Sequence, residues 1–212
     1  MRVLILFFMT FFISFVQAQV KINEVLYSTA DDQIELKNFG STAVDVSSWW
    51  LCSVFVYNQI STLNVISGSL NIPPGGILAL SGKSLNNTAA DLALYNSSVF
   101  TSTTAMQDYV EWGRGGQGRE SVAVSKGIWT AGDFVPTVAA GHSIEYDGDG
   151  NSSSDWFDQP NPTIGSENGI LTSVEEQPFI PTKFHLEQNF PNPFNPTTVM
   201  PYTIPQGSGV LP

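Results

Sequence analysis

The stretch from Ile34 to Leu51 limits what this chain can fold into more than any other. Ile34 and Leu36 alternate with the polar Glu35 and Lys37, the period of a half-buried strand. Asn38 and Gly40 follow, two residues that accept the backbone conformations of a tight reversal. Val44 to Ser47 then lead into Trp49-Trp50-Leu51, where Trp49 and Leu51 fall on one face of a second strand. A strand, a reversal and a strand bearing a large aromatic predict two facing β-layers with the indole between them. The other reading of Trp49 is a ligand platform, and core packing is favoured because tryptophan is highly buried on average.

The rest of the chain carries the same signals. Val20–Leu26 alternates as a strand, and residues 28–32 form the first turn. Trp50–Tyr57 reads as one long β-run, with Ile60–Ile66 returning as its partner after Asn58-Gln59. Pro73-Pro74-Gly75-Gly76 ends one strand by removing donors and lets the chain reverse. A phosphate-cradling loop there lacks the lysine and the helix it needs. Leu85–Ala93 admits one helical turn, although Asp91–Tyr95 reads better as a strand. Gln107–Gly113 and Gly141–Tyr146 are further strands, and Trp129 packs a loop against the edge. Between them Gly113–Arg119 reads as a flexible connection in preference to an anion grip. The expected fold is all-β, a sandwich of about seven to nine short strands.

Charge excludes one class of partner. Eight Lys and Arg stand against 19 Asp and Glu, a net charge of −11, so a phosphate backbone is repelled and nucleic acid is not a partner. With only 13% of residues charged and Ser, Thr, Asn and Gly plentiful, the balance suits an exported β-protein. The single cysteine, Cys52, has no intrachain partner and reads as a small buried filler. His142 and His185 lie in different parts of the chain. His142 and Ser143 are neighbours on a strand and so point to opposite faces, a poor base and nucleophile. The expectation is therefore no enzyme and no catalytic residue. One cation site is a candidate: Asp147, Asp149, Asn151, Ser153, Asp155 and Asp158 imitate a calcium loop, with oxygen ligands at alternate positions. Against it, Ser152 stands where glycine is wanted and Asp158 is shorter than the usual glutamate. The competing reading is a hairpin whose Asp, Gly and Asn serve the turn.

The ends of the chain are different in kind. Met1-Arg2, the apolar run Val3–Val16 and the small-residue exit at Ala18 predict a signal peptide over residues 1–18, cleaved after Ala18. The run is shorter than the ~18 residues of a membrane span, so no integral span is expected after cleavage. Residues 169–183 form a linker of mixed polarity with two prolines and Glu175-Glu176. Residues 184–212 open with Phe184-His185-Leu186-Glu187-Gln188-Asn189-Phe190-Pro191-Asn192-Pro193-Phe194-Asn195-Pro196, an extended, proline-stiffened entry to a β-unit.

Two family resemblances attach to these residues. Glu35, Asn38, Gly40, Val44–Ser47, Trp49 and Leu51 match the opening pattern of lamin tail domains. Residues 70–80, the Asp108-Tyr109-Val110-Glu111-Trp112-Gly113 strand, Gly141–Glu145 and the closing Asp155-Trp156 with Pro162–Asn168 resemble that family as well. Tyr146 stands where the family usually has arginine, and Ile164 where it has proline. The resemblance spans residues 19–168 and implies an immunoglobulin-like β-sandwich. The 184–196 motif resembles the start of a type IX secretion C-terminal sorting domain, expected to be truncated in this chain. This implies a partner in the type IX secretion machinery and a Gram-negative bacterium.

Together these lead to a secreted or outer-membrane-surface module, non-catalytic, that binds an extracellular protein or glycan or serves as structure. The alternatives are a calcium-dependent adhesin and an accessory domain of an extracellular hydrolase whose catalytic part lies elsewhere.

Overall fold

The computed structural model describes residues 19–169, together with 185–186 and 202–203. The chain divides into two units, Met1–Gly169 and Ile170–Pro212. In the second, the short strands His185–Leu186 and Tyr202–Thr203 pair antiparallel. The expected signal peptide, and the linker and sorting motif apart from these four residues and Gly169, lie outside the described residues. Among the described residues no helix is long and apolar enough to cross a membrane.

The first unit is an all-β sandwich. Its strands are β1 (Val20–Leu26), β2 (Gln33–Asn38), β3 (Val44–Asp45), β4 (Trp50–Ser53), β5 (Val56–Gln59), β6 (Asn64–Ser67), β7 (Asn71–Ile72), β8 (Ile77–Ser81), β9 (Ala90–Tyr95) and β10 (Met106–Trp112). A short helix α1 (Glu120–Lys126) precedes β11 (Ser143–Tyr146) and β12 (Trp156–Gln159). One sheet has the order β12-β11-β1-β2-β8-β6 and the other β10-β9-β4-β5, while β3 and β7 form a small ladder between them in sequence. Every strand pairing is antiparallel.

Alternation puts Ile22, Val25, Ile34, Leu36, Leu78, Leu80 and Ile144 of the first sheet against Leu51, Leu92, Leu94, Val110 and Trp112 of the second, none more than 1% exposed. Tyr27 stacks on Trp112 with centroids 4.6 Å apart, and the indole N–H donates to the Asn86 carbonyl at 2.9 Å. Cys52 is buried as expected, and Trp156 is buried as well. Asn38 organises the first reversal through its side chain, donating to the Thr42 and Ile72 carbonyls and accepting from the Gly40 N–H. The Pro73–Gly76 turn closes with the Gly76 N–H on the Pro73 carbonyl, and Gly75 supplies the positive φ of +69°.

Three expectations change. The Trp50–Tyr57 run is not one strand: it folds back at Val54-Phe55, so that Ser53 faces Val56 across a two-residue loop. Ile60–Ile66 therefore does not pair with it, and β6 crosses to the other sheet beside β8. The Gly113–Arg119 connection runs directly into α1, a helix the sequence reading did not contain. Trp49 lies ahead of β4 and is only partly buried, packed on the rim of the core.

Candidate functional site

One end of the sandwich opens into a cleft of about 480 Å³. Its walls come from elements far apart in sequence. Lys21 is contributed by β1, Trp49 by the segment entering β4, and Asn96 by the turn leaving β9. Gln107 and Asp108 sit at a bulge in β10, Lys126 ends α1, and Asn151 lies in the turn between β11 and β12. Gly127 in the left-handed conformation caps α1 and fixes where Lys126 stands.

Contacts hold these groups in place. The Lys21 ammonium donates to the Tyr146 hydroxyl at 2.7 Å and to the Gly150 carbonyl at 3.3 Å, and it lies 4.8 Å from the Tyr146 ring centre. Lys126 donates to the Thr103 carbonyl at 3.1 Å. The Ile22 N–H, next to a bulge in β1, donates to Asp108 Oδ2 at 2.8 Å. Burial pushes the Asp108 carboxyl up to about 6, although Lys21 and the Ile22 N–H pull it down. The cleft thus combines two ammonium groups, one carboxyl, several amides and an indole.

The six candidate calcium ligands do not converge. Asp147 Oδ1 accepts from the Asp149 N–H, and Asp149 Oδ1 from the Gly150 N–H. Asp155 accepts from both the N–H and the hydroxyl of Ser152, capping a single 3-10 turn. Ser153 donates through its N–H and hydroxyl to Asp133. Asp158 is out on β12, opposite Ile144, and pairs with His142 Nδ1 at 2.7 Å. Among the described residues no group of three or more His, Cys, Asp or Glu is gathered to hold a metal ion. These residues build the β11–β12 hairpin, and Asn151 serves the cleft.

His142 and Ser143 do face opposite ways. While His142 pairs with Asp158, the Ser143 hydroxyl is buried and donates to Glu24 Oε1 at 2.5 Å.

Buried acids form two further clusters that the sequence reading did not single out. Glu145, Glu24 and Glu35 stand opposite one another across β11, β1 and β2, each at most 3% exposed. Like charges so placed repel, and the closing segment 163–168 answers them. Thr163 and Gly165 donate backbone N–H groups to Glu24 and Glu35, and Asn168 donates to the Asn23 and Tyr146 carbonyls. The Thr163 hydroxyl lies 2.9 Å from Glu24 Oε2 and 3.1 Å from Glu145 Oε2. The two carboxyls thus share one hydroxyl proton. Burial raises the Glu145 pKa above the ordinary glutamate value. Burial also pushes Glu35 up to about 7, against the bonds from Asn23 and Gly165.

The second cluster lies on the outer face of the smaller sheet, where Asp91 and Glu111 oppose each other across β9 and β10. Asp91 accepts from the Val54 and Arg119 N–H groups, and Glu111 from the Gln117 N–H and the Tyr109 hydroxyl. Trp129 covers this face, with Tyr109 edge-on at 5.5 Å, and its indole N–H reaches Glu111 Oε1 at 3.2 Å. The Gly113–Arg119 loop is therefore ordered by buried carboxylates, and Arg119 stacks over Phe55 and Tyr57. Both acid clusters fasten loops to sheets. In sequence the only sign was a glutamate or aspartate at a strand position flanked by apolar residues. No protein-family model, curated protein or solved structure matches the chain.

Proposed function

We propose that this is a secreted, non-catalytic binding module whose ligand enters the cleft at the end of the sandwich. The observation that carries the reading is the cleft itself, which joins a half-buried indole to amide and ammonium groups from separate strands and turns. Concave sites of roughly 300–1,000 Å³ with a few placed polar groups are the usual form of small-ligand sites. Its rim is built from β-structure and short turns, so the site is formed before a ligand arrives. The separation of His142 from Ser143 and the structural engagement of the buried acids support a role without chemistry. Export through the signal peptide and the type IX route, with the chain kept at the outer-membrane surface or released, completes the proposal. The lamin-tail and immunoglobulin-like likeness is consistent with a positioning or recognition domain, by analogy of fold alone.

The test is a nuclear magnetic resonance titration of the full chain with pools of oligosaccharides and short peptides, run beside ester and glycoside hydrolysis assays. Shifts confined to residues lining the cleft, abolished by Trp49→Ala, are the expected outcome, with no turnover above buffer. Hydrolysis, or shifts that leave the cleft untouched, would sink the reading.

A further inference from the structure

The clue lies in where the positive charges sit. Lys21 is only 4% exposed, yet among the described residues it belongs to no ion pair, the pairs there being Lys37–Glu167 and His142–Asp158. Its ammonium is held by a hydroxyl, a carbonyl and an aromatic face, all of them dipoles without net charge. Burying a cation without a counter-charge in direct contact is costly, and Asp108 acts on Lys21 only from beyond ion-pair distance. Lys126 is only half-buried, but it too is bound to one carbonyl and belongs to no ion pair among the described residues. Among the described residues Asp108 is the only acid in the lining; it lies beyond ion-pair distance from both lysines and has one oxygen committed to the Ile22 N–H. The lining residues themselves hold two lysines against one acid, in a chain of net charge −11, with Asp147, Asp149 and Asp155 of the neighbouring hairpin acting on the Tyr146 hydroxyl that Lys21 touches.

We propose that the cleft takes an acidic sugar, its carboxylate set between the Lys21 and Lys126 ammonium groups and its ring against Trp49. The inference rests on the cleft being the binding site, as argued above. Asn96 and Asn151 each carry an amide donor and acceptor, and Gln107 adds an amide oxygen, its Nε2 being committed to the Thr104 and Ala105 carbonyls; these are the partners that neighbouring sugar hydroxyls require. An indole offers an apolar face for the C–H side of a pyranose. A lysine ammonium also binds phosphate as a point charge, so a phosphorylated glucose is titrated beside the uronates, and its preference over them overturns the carboxylate assignment. The ligand class that fits the lysines, the amides and the indole together is a uronic-acid oligosaccharide. A peptide carboxylate lacks the hydroxyls that the amides would engage.

Isothermal titration of the full chain decides it, using galacturonate and glucuronate trimers, neutral glucose trimers, a phosphorylated glucose and a short peptide with a free C-terminal carboxylate. The uronate trimers are expected to bind at least about tenfold more tightly than the neutral ones. Lys126→Gln, at a half-buried helix end, is expected to weaken uronate binding about fivefold, the factor typical of one lost charge contact. Asp108→Asn keeps an acceptor for the Ile22 N–H while removing the competing negative charge, and is expected to strengthen binding by a similar factor. Lys21→Met gives a further check wherever circular dichroism shows it folded; otherwise the Lys126 and Asp108 variants suffice. Equal binding of neutral and acidic trimers, or no change in Lys126→Gln, overturns the acidic-sugar assignment and leaves the cleft as a binding site. Binding of the peptide alone also overturns it. No heat with any saccharide, while resonances lining the cleft shift with another ligand, does the same.

Discussion

Glu35 receives one donor on each oxygen, the Asn23 amide on one and the Gly165 N–H on the other. Glu35→Gln would set an N–H₂ against one of those donors in a site with no exposure, so a loss of about 1–3 kcal/mol is expected in urea unfolding. Glu145 differs, because only its Oε2 is engaged, by Gln159 and Thr163. Burial raises the Glu145 pKa, so Glu145→Gln should be tolerated and should gain stability relative to the native chain as pH rises. A larger loss in Glu145→Gln than in Glu35→Gln would refute this account of the row. Trp49 shows the limit of reading single residues. Strand periodicity assigned it an inward face, but the chain enters β4 one residue later, which leaves the indole on the cleft wall. Spacing records the face a side chain shares, and the start of a strand depends on its hydrogen-bonded partners.

The β4–β5 hairpin is the element that departs furthest from local rules. A two-residue loop with both φ values positive calls for Asn-Gly or Asp-Gly, and here Val54 and Phe55 adopt +45° and +64°. A β-branched residue is strained in this region. The tip is held from outside: Asp91 accepts the Val54 N–H at 2.7 Å, and the Arg119 guanidinium lies 4.9 Å from the Phe55 ring. Val54→Asn keeps both contacts and relieves the strain, so a gain of about 1 kcal/mol, or ~2–4 °C in Tm, is expected by calorimetry. An unchanged or lower Tm would show that the turn is not strained. The continuous β-forming run from Trp50 to Tyr57 concealed this turn because no glycine, asparagine or proline interrupts it. Helix α1 was hidden for the opposite reason. Its Ser121, Val122, Val124 and Ser125 have little helix preference, and the helix exists by burying Val122 and Ala123 against the sheet.

Over the whole molecule, buried acids make stability depend on pH in one direction. Burial raises Glu35 and Glu111 to about 7 and Asp108 to about 6, from ordinary values of 4.5 and 3.8. Between about pH 4 and pH 7 the folded chain therefore holds protons that the unfolded chain has released. Stability from these groups is greatest at the acidic end of that window and falls as pH rises through it, with no further loss once they are ionised. The net charge of −11 at neutral pH acts in the same sense through self-repulsion. Tm is thus expected to be higher at pH 5 than at pH 8, and the opposite order in a thermal melt would contradict it. As for origins, the alternation of Ile34-Glu35-Leu36 and of the other strands, the proline-glycine turn and the buried Cys52 were settled by the sequence itself. Each depends on contacts between near neighbours or on burial, and both leave a periodic trace. The turn at Val54, the helix, the row of glutamates and the cleft came only with the tertiary structure. They join groups from β1, β10, α1 and the β11–β12 hairpin, and no spacing along one strand records which distant residues will share a space.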